Sequence, residues 1–141
     1  MNVPWIEKYR PKEFHEIVLN TQNKTFIQNI IDNDDYPNML FYGPPGTGKT
    51  TTILCLISMY KKKHECTKNY IHLNASHERG IDVIRNQILQ FTLNTTFFKK
   101  EQKFVLLDEM DSLTKQAQKQ LMYLIKCCYQ KKNVTFILIC N

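Results

Sequence analysis

Residues 39–50 read Met-Leu-Phe-Tyr-Gly-Pro-Pro-Gly-Thr-Gly-Lys-Thr, and this stretch decides the fold. Its first four residues form an apolar run of strand length that Gly43 stops, the pattern of a buried strand. Residues 43–50 then match G-x-x-x-x-G-K-[ST] between a strand and a helix. Gly43, Gly46 and Gly48 permit backbone angles that turn successive N–H groups inward, building a nest for nucleotide phosphates at a helix start. Lys49 is expected to place its ammonium between the β- and γ-phosphates of ATP, and the Thr50 hydroxyl to ligate Mg²⁺. Pro44, Pro45, Thr47 and Thr51 complete the expected ATP-contacting set. A bare glycine-rich turn is the alternative, and the strand and helix on either side argue against it.

Working outward, strand and helix patterns alternate. A short helix precedes the loop, with Thr21 as its cap, Phe26, Ile27, Ile30 and Ile31 at helical spacing, and Asp34, Asp35 and Pro37 at its end. After the loop come a helix at 49–60, a strand at 70–73, a helix at 81–91, a strand at 104–107, a helix at 115–129 and a strand at 134–139. Such alternation predicts one α/β domain over residues 1–141, a parallel sheet covered by helices on both faces. Residues 1–18 read as extended, because Pro4 and Pro11 remove donors and bias their predecessors away from helix.

The apolar strand at 104–107 delivers Asp108 and Glu109 to its carboxyl end, where parallel sheets gather ligands. Asp108 is expected to hold Mg²⁺ through its water shell, and Glu109 to orient and deprotonate the attacking water. Asn141 ends the next strand; a frayed terminus or a hydrogen bond to the γ-phosphate are its two readings.

Composition bounds the rest. The chain has 141 residues, 43% hydrophobic and 23% charged, the profile of a globular protein. No apolar run approaches the roughly 20 residues that span a bilayer, so no membrane partner and an intracellular location are expected. Five cysteines, Cys55, Cys66, Cys127, Cys128 and Cys140, show no C-x-x-C spacing and read as free thiols. His64 and Cys66 are too few for a metal site. The net charge of +6 suits a polyanion without identifying it; the lysine clusters at 61–63, 99–100 and 131–132 read as solvated edges.

Four segments carry a family resemblance. They are residues 3–11 (Val-Pro-Trp-Ile-Glu-Lys-Tyr-Arg-Pro), the loop at 43–50, residues 73–85 (Leu-Asn-Ala-Ser-His-Glu-Arg-Gly-Ile-Asp-Val-Ile-Arg), and residues 107–114 with Ala117 and Gln118. Their kind and order resemble the small subunits of replication factor C, AAA+ P-loop ATPases that form a five-membered sliding-clamp loader. The resemblance implies a sheet order 5-1-4-3-2, with a fifth strand and a helical lid encoded beyond residue 141. It implies Tyr9, Arg10, Ile17 and Val18 near the base, and Asn141 as a γ-phosphate sensor beside the catalytic Glu109 and Lys49. It also implies Asn74 as a restraint on Glu109, and Arg79 and Arg85 against the DNA backbone. Other ring subunits, the sliding clamp and primer–template DNA are the implied partners, and the nucleus the location if the source is a cellular eukaryote.

Two departures stand out: His77 where the family carries an acid, and Met122 with Tyr123 where it carries an arginine pair. Phe91, Leu93, Phe97 and Phe98 read as core packing, with clamp docking as the alternative. The chain reads as a fragment, without the neighbour-completing arginine motif, and is expected to hydrolyse ATP poorly by itself, to be marginally stable and to self-associate along the strand at 39–42. The competing functions are an inactive nucleotide-binding scaffold and another AAA+ DNA motor.

Overall fold

A computed structural model describes residues 4–11, 13–66, 69–76, 80–93, 101–129 and 133–141. The elements are α1 (Trp5–Lys8), α2 (Thr21–Asn33), β1 (Met39–Tyr42), α3 (Lys49–His64), β2 (Tyr70–Asn74), α4 (Ile81–Leu93), β3 (Lys103–Asp108), α5 (Lys115–Tyr129) and β4 (Val134–Cys140), with short 3₁₀ turns at Phe14–Glu16 and Met110–Ser112.

The leading segment is not extended. Pro4 stands just before α1, where a missing N–H costs nothing, and its carbonyl accepts from Lys8 N at 2.9 Å. Glu13 and Glu16 satisfy each other's backbone donors around the second turn, which buries Phe14. The cap of α2 also moves by one residue: Asn20, in an extended conformation, accepts from Asn23 N at 2.8 Å. Asn serves here at least as well as Thr. Asp34 closes α2 in the left-handed region, φ 57°.

Other elements run further than their apolar patterns. Helix α3 continues through Lys61–Lys62–Lys63 to His64, because lysines are good helix formers and cations favour a helix carboxyl end. Helix α4 reaches Leu93 and strand β3 starts at Lys103, and the two ends meet. The buried Lys103 ammonium donates to the carbonyls of Phe91 (2.8 Å) and Thr92 (3.3 Å) at the close of α4, satisfying acceptors that a helix end leaves unpaired.

Among the described residues all pairings are parallel, in the order β1-β4-β3-β2, as expected for these four strands. Alternation along the central strands divides the interior into two cores. Phe104, Leu106, Ile137 and Ile139 pack with α2 and α3 on one face; Val105, Leu107, Val134 and Phe136 pack with α4 and α5 on the other. Side chains such as Phe104, Val105 and Leu106, with no exposed surface, each contribute roughly 1.5–3 kcal/mol of transfer free energy. Phe26, although at helical spacing, is 52% exposed. Among the described residues β1 pairs only with β4, and Leu40 and Tyr42 are exposed. No described helix is long and apolar enough to cross a membrane, and all five cysteines are free.

At the end of the sheet away from the loop, Asp34 accepts from His64 Nε2 at 2.9 Å and pairs with Lys63 Nζ at 3.4 Å; the His64 ring stacks on Tyr60. Desolvation alone raises the Asp34 carboxyl pKa, but His64 and Lys63 together reverse that and hold it below its ordinary 3.8. A depressed folded pKa contributes stability above the unfolded value and loses it as pH falls through the folded one. Asp34→Asn keeps the left-handed cap, which Asn tolerates. It should lower the thermal midpoint at about pH 5, above the ordinary carboxylate value, and converge on wild type at a pH below the depressed folded value, as read by calorimetry. A deficit of equal size at both pH values would refute the role of the charge.

Candidate nucleotide-binding site

The parallel order brings the carboxyl ends of all four strands to one rim, where β1 runs into the loop at 43–48 and α3. Gly46 and Gly48 adopt φ 78° and 83°, in the left-handed region that a side chain strains. A Cβ at either position would meet nothing within 4 Å, so glycine is required by the backbone and not by crowding. Pro44 and Pro45 lie in the tight turn. Thr47 Oγ1 closes it by donating to Pro44 O at 2.9 Å, and Thr52 Oγ1 donates to Gly48 O at 2.9 Å. Thr51 lies in the first turn of α3.

Two interactions knit the site across the chain. Lys49 Nζ donates to the carbonyls of Gly43 and Pro44 and, at 2.9 Å, to Asn141 Oδ1. Thr50 Oγ1 donates to Asp108 Oδ2 at 3.1 Å. Lys49, Thr50, Asp108 and Asn141, scattered through the sequence, therefore form one cluster. Asn141 is anchored at its backbone as well, its N–H donating to Asp111 Oδ1 at 3.4 Å.

Glu109 follows Asp108 in the left-handed region, φ 55° and ψ 43°. For a residue with a Cβ this conformation costs on the order of 1–2 kcal/mol. It is held by Glu109 N donating to Asp108 Oδ1 (2.9 Å) and by Ser112 donating twice to Glu109 O, from N at 3.0 Å and from Oγ at 2.8 Å. Nothing in the apolar or helical periodicity signals this kink. Asn74 lies beside Asp108 in the sheet register, with its Oδ1 accepting from Ser76 N and Oγ; a restraint on Glu109 would have to run through Asn74 Nδ2. A further neighbour carries no motif in the sequence: His72 Nε2 stands 3.5 Å from Asp108 Oδ2.

A hydroxyl and a carboxylate are hard oxygen donors of the kind Mg²⁺ takes, and that ion completes its octahedron with water and phosphate oxygens. Thr50 and Asp108 therefore fit it. The residues expected near the base stand outside the cleft beside the loop. A cleft of about 610 Å³ runs along the outer edge of β1, lined by Leu19, Asn23, Phe41, Pro44, Thr47 and Lys49 among others. Tyr9, Arg10, Ile17 and Val18 do not line it. Tyr9 and Val18 are exposed, Tyr9 meeting Trp5 edge to face; Arg10 and Ile17 are half-buried. Cys55 Sγ ties this segment to α3 by donating to Pro11 O at 3.2 Å. Arg85 is exposed on α4, whereas Arg79, His77, Phe97 and Phe98 lie outside the described residues. Met122 and Tyr123 are exposed on α5.

A parallel sheet, a phosphate-type loop after β1 and an acid at the end of β3, one strand removed from β1, define a P-loop nucleotide-binding protein. Residues 39–141 match the family described as ATPase family associated with various cellular activities (AAA), and the chain belongs to that family. Over nearly its whole length it is similar to replication factor C small subunits. It is 46% identical over 141 residues to replication factor C subunit 5 of Homo sapiens, and 41% identical over 141 residues to subunit 3 of Saccharomyces cerevisiae. These alignments cover 99% of this chain but 41% and 40% of the relatives, so the chain spans about two fifths of their length. Small subunit 2 of Pyrobaculum islandicum is 40% identical over 137 residues, 97% of this chain and 42% of the relative. Among solved structures, Caenorhabditis elegans PCH-2 superimposes with a TM-score of 0.63 at 18% identity, covering 99% of this chain and 41% of that one. Thermotoga maritima RuvB T158V gives 0.62 at 20% identity, covering 93% and 41%. At such identities these two share the fold alone.

Proposed function

We propose that the chain binds ATP with Mg²⁺ and serves as a subunit of a clamp-loading ATPase ring, acting with other such subunits, a sliding clamp and primer–template DNA. The observation that carries this reading is the joining of Lys49 to Asn141 and of Thr50 to Asp108, within a chain similar to replication factor C subunits over 99% of its length. Loop amides and Lys49 would hold the phosphates, Thr50 and Asp108 the Mg²⁺, and Glu109 the attacking water, while Asn141 would sense the γ-phosphate beside Lys49. The metal, when bound, neutralises charge that develops on the phosphates. Tyr9, Arg10, Ile17 and Val18 would lie near the base. Arg79 and Arg85 would contact DNA phosphates without reading sequence.

The test is made in the ring assembled with its other subunits. Primer–template DNA should bind more tightly with ATP and Mg²⁺ than without nucleotide. Replacing Arg79 and Arg85 together by Ala should weaken binding and make the log–log salt dependence shallower by about one unit for each phosphate that is no longer neutralised. Nucleotide-independent DNA binding would overturn the clamp-loader reading; an unchanged salt slope would show that neither arginine meets the DNA backbone.

A further inference from the structure

Asp108 is surrounded more closely than a strand-end acid needs to be. Its Oδ1 accepts from Glu109 N at 2.9 Å, while Oδ2 accepts from Thr50 Oγ1 at 3.1 Å and has His72 Nε2 at 3.5 Å. The histidine reaches this point through sheet register. His72 pairs with Leu106, two residues before Asp108, so both side chains leave the same face of the sheet and meet on the diagonal, a separation that an aromatic ring spans. Strand β2 ends the sheet order. The His72 side chain is 35% exposed and that of Asp108 16%, so the ring covers one side of the carboxylate and leaves the other toward the loop. Nothing in the core requires an imidazole there: the buried residue of this stretch is Leu73, facing the opposite core.

We propose that His72 is a positioning residue for Asp108. With its proton on Nε2, the ring would donate to Oδ2 across a gap that stands at 3.5 Å, at the outer limit of hydrogen bonding, and together with Thr50 would fix the plane of the carboxylate that would receive Mg²⁺ or a water bound to it. Carboxylates that hold metals are held in turn by hydrogen bonds, and loss of such a partner typically costs about 10–100-fold in metal affinity. The inference rests on Thr50 and Asp108 being the metal-holding pair.

The experiment titrates Mg²⁺ into protein saturated with a fluorescent ATP analogue, comparing wild type with His72→Gln and His72→Asn. Glutamine carries an N–H donor at about the reach of Nε2, and asparagine is a methylene shorter. Both are polar and His72 is partly solvated, so the sheet should stay folded, which thermal unfolding verifies. The Mg²⁺ concentration at half-saturation should rise about tenfold in His72→Asn and return toward wild type in His72→Gln, with affinity for the analogue in EDTA equal in all three. Equal Mg²⁺ dependence in all three proteins overturns the role of His72 and leaves the metal pair standing. Equal weakening in both variants overturns the hydrogen-bond role. A wild-type protein whose affinity for the analogue ignores Mg²⁺ overturns the metal assignment itself, and the inference with it.

Discussion

Lys49→Ala should lower the affinity for a fluorescent ATP analogue in the presence of Mg²⁺ by about 100-fold or more. The ammonium reaches the loop carbonyls and Asn141, the position from which it would also meet the β- and γ-phosphates. Each charge-assisted hydrogen bond contributes roughly 1.5–3 kcal/mol and each 1.4 kcal/mol is a factor of ten, so two such bonds to phosphate set the scale. The side chain is not part of either hydrophobic core. Its removal should therefore leave the thermal midpoint of the nucleotide-free protein nearly unchanged. Titration and thermal unfolding of both proteins decide the matter, and equal affinity would refute the phosphate assignment.

Glu109→Gln, in the assembled ring, should keep ATP binding within a few fold and lower turnover by about 10²–10⁴, the range contributed by general-base catalysis. Amide and carboxylate have nearly the same shape, so only the capacity to take a proton is removed. The left-handed backbone at Glu109 supplies a second variant. Glycine adopts that conformation without strain, so Glu109→Gly should match or exceed wild-type thermal stability while also losing turnover. A residue kept for structure would behave in the opposite way, its glycine variant less stable and still active. Unchanged phosphate release in Glu109→Gln would eliminate it as the base.

The strand, loop and helix at 39–60 were legible because each uses a separate local signal: an apolar run, glycines ahead of Lys49 and Thr50, then helical residues. The strand before Asp108 was equally plain, since four apolar residues ending in an acid admit few other placements. Boundaries were less legible where the interaction that extends an element is remote. Lys103 belongs to β3 through its register with Val134, its ammonium being accommodated by capping α4, and a charged residue at a strand end gives no local sign of either. The helical turn at Trp5–Lys8 has no clear local sign, because a proline that breaks a helix can also stand just before one, as Pro4 does.

By itself the sequence determined the alternation of strands and helices and the chemistry each strand end could offer, because periodicity, glycine freedom and side-chain type act over a few residues. Only the tertiary structure decided which ends meet. Asn141 comes to Lys49, Thr50 to Asp108 and His72 to the same carboxylate because the chain crosses the sheet in the order β1-β4-β3-β2. Such meetings depend on register and crossover, which are set by burying two apolar faces at once and leave no trace at the residues they join.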